Sequence, residues 1–155
     1  IPIIFKSSGL EGGHQGAVYI AVFIMAVIFM GPLLAMSERK RCQKEIIILA
    51  VILIIFAQII FWLLNAKFWG IIVGLILFFT GFNILEASLP SIISKLAPKN
   101  SKGAAMGVYS TAQFLGPMLG GVLAGVIFKH YGLAYIFILG LLWSGLWLLK
   151  LLKDY

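Results

Sequence analysis

A single carboxylic acid stands where water should not reach it. Glu86 lies in LFFTGFNILEASLPS (residues 77–91), inside an apolar run long enough to cross a bilayer. A charge at mid-bilayer costs about 2.5–3.5 kcal/mol on insertion scales, so such a side chain should face protein or a water-filled cavity. Loss of water disfavours the ionised form of a carboxyl group, which makes Glu86 a candidate proton-binding residue. Two plainer readings stand beside that one. Glu86 could make a structural hydrogen bond to a neighbouring helix, or sit near enough to the cytoplasmic end for water to reach it. Asn83 lies one turn earlier on the same face, with Phe79 and Phe82 nearby. An acid, an amide and aromatic rings suit a cavity that admits amphipathic molecules. Pro90 follows four residues later and can kink the helix by removing a backbone bond.

The second set of candidates falls in residues 103–128. Tyr109, Gln113 and Pro117 share one helical face, and Gln113 is the only amide of the run. These are cavity-lining candidates. The same run is rich in small residues: Gly103 and Gly107, Gly116 and Gly120, and Gly121 and Gly125 each recur at four-residue spacing. That spacing lets helix backbones approach closely. Tight packing is its simplest role, and a hinge at Gly116–Pro117 is the other. Gln58, in a different apolar run, either lines a cavity or clips two helices together. Asn65 and Trp69 fall at a membrane boundary, where interfacial anchoring explains them. Trp143 and Trp147 share a face of the last run, as packing or lipid-facing residues.

Other chemistry lacks its parts. His14, His130 and Cys42 fall in the polar gaps between apolar runs, with no cluster of metal-ligand spacing. There is no HExxH, no Walker sequence and no Ser–His–Asp set within the apolar runs. The expectation is a protein with no metal, no cofactor and no catalytic residues, not an enzyme.

The elements that must hold these residues follow from composition. Of 155 residues, 62% are apolar and 11% charged, with a mean hydropathy of +1.09. A soluble domain would carry about 25% charged residues, so lipid must be the solvent here. About 20 apolar residues in helix span the hydrocarbon core. Five runs qualify: residues 16–36, 46–64, 68–94, 103–128 and 133–152. Their length argues for helices, since barrel strands would alternate over about ten residues. Residues 1–5 read as the end of a preceding helix, and residues 6–15, rich in Gly and Ser, as a loop. The chain opens on Ile1, already apolar, and reads as a piece of something longer. The fold class is all-α integral membrane.

The net charge of +7 does not point to nucleic acid, because the basic residues sit in the gaps. Residues 37–44, residues 95–102 and the C-terminus would share one side, with Arg39, Lys40, Arg41, Lys44, Lys95, Lys99, Lys102, Lys150 and Lys153. The other side holds only Lys6, Lys67 and Lys129. By the positive-inside rule the C-terminus is cytoplasmic.

Residues 103–121, GAAMGVYSTAQFLGPMLGG, are similar to the antiporter motif of the major facilitator superfamily, G-x8-G-x3-GP-x2-GG. Gly103, Gly116, Pro117, Gly120 and Gly121 match, and Ala112 replaces the second glycine. The preceding helix resembles that of bacterial inner-membrane transporters of the same superfamily. Residues 31–41, GPLLAMSERKR, resemble a degraded copy of the family's loop motif, G-x-L-A-D-R-x-G-R-K. Gly31, Leu33, Arg39 and Lys40 match, while Ala35 takes the acid position and Glu38 that of the second glycine. The resemblance implies the C-terminal six-helix bundle of the family fold, its first helix mostly missing. Residues 1–5 would end helix seven, and the five full spans would be helices eight to twelve. It implies two bundles around a central cavity, with alternating access and, in the drug-exporter branch, proton coupling. The partners would be the bilayer, the N-terminal half of the same transporter, a small-molecule substrate and protons. The place would be the inner (plasma) membrane, crossed several times. An uncoupled facilitator and a stand-alone membrane assembly protein are the competing readings.

Overall fold

The computed structural model describes residues 12–40, 42–64 and 67–153. The expected helix end at residues 1–5, loop residues 6–11, Arg41 and Asn65 lie outside them. Five long helices follow one another: α1 (Gly12–Lys40), α2 (Gln43–Leu64), α3 (Phe68–Leu96), α4 (Lys102–Tyr131) and α5 (Leu133–Lys153), with a 3-10 turn at Lys99–Ser101 before α4. Each is long and apolar enough to cross a membrane. Helices are the outcome because hydrocarbon offers backbone amides no partner, so each span must satisfy its own.

The five long helices cover the five apolar runs, with one informative difference. α1 begins at Gly12 rather than residue 16 and ends at Lys40 rather than Met36. The stretch expected as a loop from residue 37, and read as a loop motif from Gly31, is thus helical as far as Lys40. Glu, Arg and Lys are good helix formers, so polarity marks where a membrane ends better than where a helix ends. Cys42 Sγ donates to the Met36 carbonyl at 3.6 Å. Pro32, Pro90 and Pro117 all lie inside helices that continue through them. Between α4 and α5 the chain turns at Gly132, whose φ of 88° suits a residue without Cβ. Its N–H donates to the Phe128 carbonyl at 3.2 Å and closes the last turn of α4.

The chain forms two compact units. The first comprises α1, α2, α3 as far as Leu85, and α5 from Phe137. Its core is built on small and branched apolar residues: Ala26, Ala50, Val51, Ile71, Leu75 and Ile84 are fully buried. A Cβ built on Gly81 would lie 2.6 Å from the Ala50 carbonyl oxygen, and one on Gly74 2.6 Å from the Phe61 ring. The backbones of α2 and α3 therefore meet at glycines, the means by which membrane helices associate without a hydrophobic driving force. The Phe61 and Phe137 rings, 5.5 Å apart, join α2 to α5.

The second unit, Glu86–Ile136, holds the end of α3, the 3-10 turn and α4. No residue of α4 is buried, and large apolar side chains stand out all round it, among them Val108, Phe114, Leu119 and Val122. A helix apolar on every side belongs inside lipid or protein.

Candidate transport site

α3 and α4 run in opposite directions out of the 3-10 turn, and that fixes which of their residues can meet. Glu86 lies ten residues before the end of α3, and Gln113 eleven after the start of α4. At 1.5 Å per residue both stand about 15 Å from the turn. They do meet: Gln113 Nε2 donates to Glu86 Oε1 at 3.0 Å. The two polar side chains singled out on separate apolar runs are thus one hydrogen-bonded pair. Glu86 lies on an open face of α3 and Gln113 is half-buried. A carboxyl group can accept this bond charged or neutral, because it keeps a bare oxygen in both forms. The pair can hold a proton without breaking. It also serves as the structural bond that the sequence left open as an alternative. Tyr109, one turn before Gln113, is half-buried.

The remaining candidates lie in the first unit. Phe79 meets Phe23 edge-on at 6.4 Å and Phe78 at 5.8 Å, while Phe82 stacks on Phe78 at 6.0 Å. Phe23 and Phe78 are additions to the aromatic pair read from the sequence. Asn83 Nδ2 is buried with no hydrogen-bond partner among the described residues. A buried donor left unmade costs about 1–3 kcal/mol, so Asn83 is poised for an acceptor from outside this set. Gln58 has a neighbour on α5: a Cβ on Gly140 would collide with the Gln58 side-chain amide. Ser144, one turn beyond Gly140, donates to the Gly140 carbonyl at 2.8 Å and leaves the notch open. This geometry matches a clip. Gly140→Val should cost about 1–3 kcal/mol of stability by overpacking. Gln58→Ala should then restore part of the loss, read as melting temperatures; strictly additive effects would show that the two do not interact.

The motif glycines are placed differently from those that pack. A Cβ on Gly103, Gly107, Gly116, Gly120, Gly121 or Gly125 would meet nothing within 4 Å among the described residues. Among the described residues the close approaches are made instead at Gly70, Gly74, Gly81 and Gly140. Gly70 and Gly74, like Gly140 and Ser144, carry the same four-residue small spacing. That signal was available in the sequence without the help of a motif. Among the described residues no group of His, Cys, Asp and Glu is placed to hold a metal ion.

A family model described as Major Facilitator Superfamily matches residues 1–154. The chain belongs to the major facilitator superfamily. It is similar to the inner membrane transport protein YajR of Escherichia coli K12, at 38% identity over 148 residues, 96% of this chain and 33% of that protein. An uncharacterized transporter of Buchnera aphidicola from Baizongia pistaciae is 30% identical over 88% of this chain and 36% of its own length. A multi-drug resistance efflux pump PmrA homolog of Lactococcus lactis is 24% identical over 90% of this chain and 35% of its own length. The chain thus spans about a third of the length of these relatives. Major facilitator proteins are multi-pass membrane transporters, and the five spanning helices agree with that class.

Proposed function

We propose that this chain is the C-terminal half of a secondary transporter that exports small amphipathic compounds by alternating access, in exchange for protons. The observation that carries the reading is the Glu86–Gln113 hydrogen bond, an acid and an amide paired within two spanning helices. An intramembrane ionisable residue with a polar partner is the usual mark of an ion or proton pathway. In this reading Glu86 binds the proton and Gln113 orients its carboxyl group. Asn83, Phe79, Phe82, Tyr109 and Gln58 are the candidates for substrate contact, with the Asn83 amide as a donor. The relative named as a multi-drug resistance efflux pump homolog supports export as the direction. The N-terminal half of the same polypeptide supplies the surface against which Gly103, Gly107, Gly116, Pro117, Gly120 and Gly121 pack, since their faces are open here.

The test is efflux of a fluorescent amphipathic cation from proteoliposomes holding the full-length polypeptide. Efflux should accelerate when a pH gradient is imposed and collapse when it is dissipated. The same hydrogen bond also suits an uncoupled facilitator, in which Glu86 is structural. Counterflow that ignores the pH gradient would favour that reading over exchange.

Orientation gives a separate expectation. With nine basic residues on one side and three on the other, the C-terminus should face the cytoplasm of the inner (plasma) membrane. A green fluorescent reporter fused after Tyr155 should then be bright, and an alkaline phosphatase fused there inactive. The opposite pair of signals would invert the topology.

A further inference from the structure

Two of the prolines inside the long helices bear directly on the Glu86–Gln113 pair. Proline has no N–H, so the carbonyl four residues earlier loses its helical donor. Pro90 does this to the carbonyl of Glu86, and Pro117 does it to the carbonyl of Gln113. Pro32, by contrast, frees the carbonyl of Ile28, an apolar residue. The two residues joined by the 3.0 Å hydrogen bond are thus the two polar ones whose backbone oxygens are released. Hydroxyl groups can fill such gaps, and three in the long helices do bond back to carbonyls. Thr80 reaches Ile76, Thr111 reaches Gly107 and Ser144 reaches Gly140. None of them serves Glu86 or Gln113.

Residues four apart share a helix face, so each freed carbonyl lies on the stripe of its own polar side chain. A helical carbonyl points toward the C-terminal end of its helix. Because α3 and α4 run in opposite directions, the two oxygens flank the hydrogen bond, one to either side. The bond itself leaves Glu86 Oε2 and the Gln113 amide oxygen over. The result is a set of oxygens with one negative charge at one level of two spanning helices. Oxygen ligands suit hard cations, and backbone carbonyls can replace an ion's hydration shell. One carboxylate balances one positive charge, which favours a monovalent ion over a divalent one. Carbonyls released from broken helices hold sodium ions in secondary transporters. We propose that Glu86, Gln113 and their two freed carbonyls bind one sodium ion, as a coupling ion rather than a resident metal. Glu86 lies on an open face, which gives the ion its way in. Binding stands apart from proton exchange; only the ion's use in coupling rests on the transport reading.

The experiment is binding of radioactive sodium to the purified full-length protein in sodium-free detergent, with choline chloride holding the ionic strength constant. The parent should bind sodium saturably, and Glu86→Gln should abolish that binding. Pro90→Ala and Pro117→Ala return an N–H to one carbonyl each, and each should weaken binding about tenfold. Alanine is the better helix former, so both variants should fold, and their melting temperatures check it. Should either fail to fold, the parent and Glu86→Gln still decide. Pro32→Ala, which returns its N–H to Ile28, should bind like the parent. No saturable binding by the parent, or undiminished binding by Glu86→Gln or by either proline variant, would overturn the proposal. An equal loss in Pro32→Ala would do the same. Absence of sodium binding would leave proton exchange standing, whereas binding without pH-driven efflux would remove proton exchange and keep the sodium site.

Discussion

Glu86→Gln should reduce pH-gradient-driven efflux to the level of protein-free liposomes while the protein still inserts, purifies and binds substrate. The substitution preserves nearly everything but the proton. A glutamine side chain has nearly the same shape and still presents an oxygen to Gln113 Nε2, so the 3.0 Å bond between α3 and α4 can persist. What it cannot do is gain or lose a proton. If Glu86 were only a clip between helices, the variant would transport like the parent. Gln113→Leu separates the roles from the other side. It removes the donor and leaves the carboxyl group, so coupled efflux should be weakened rather than lost. Efflux by Glu86→Gln that still follows an imposed pH gradient would remove Glu86 from the proton path.

The largest structural effect is expected at Gly81, which the antiporter motif does not include. An added Cβ there would lie 2.6 Å from the Ala50 carbonyl oxygen, 3.0 Å from Ile54 Cγ1 and 3.3 Å from Leu53 Cβ. The nearest of these is backbone, and Ala50 is fully buried in the first unit. Neither helix can yield without moving the other, so Gly81→Ala should already cost about 1–3 kcal/mol. A lower melting temperature and a smaller folded fraction on size-exclusion chromatography would report it. Gly120→Ala is the matched control, because its added methyl group meets nothing within 4 Å of the described residues. It should leave the packing of α2 on α3 unchanged. Equal losses from both substitutions would contradict the assignment of close packing to Gly81.

The helices were legible because membrane insertion reads the quantity that hydropathy measures. Each of the five apolar runs lies within one long helix. Their ends were less legible: the polar tail of α1 looks like a loop, but Glu38, Arg39 and Lys40 continue the helix. The pairing of Glu86 with Gln113 was half visible. Each was marked by its rarity within an apolar run, yet only equal distance from the 3-10 turn makes them partners. Packing was the least legible part. Small-residue spacings occur on α3, α4 and α5, and spacing alone does not say which of them has a neighbour. Gly74, Gly81 and Gly140 have one, while Gly116 and Gly120 have none among the described residues. The antiporter motif of the family draws attention to the latter, where the contacts would come from outside the described residues.

The most direct test of proton-coupled exchange is the proton itself. In an antiporter, substrate and proton compete for one transporter, so substrate binding should release a proton into the medium. Purified full-length protein in weakly buffered detergent, mixed with a tightly bound amphipathic cation and a pH-sensitive dye, measures this without any gradient or vesicle. Proton release should saturate with binding in the parent and be absent in Glu86→Gln, though both bind the cation. No release from the parent, or equal release from the two proteins, would contradict it.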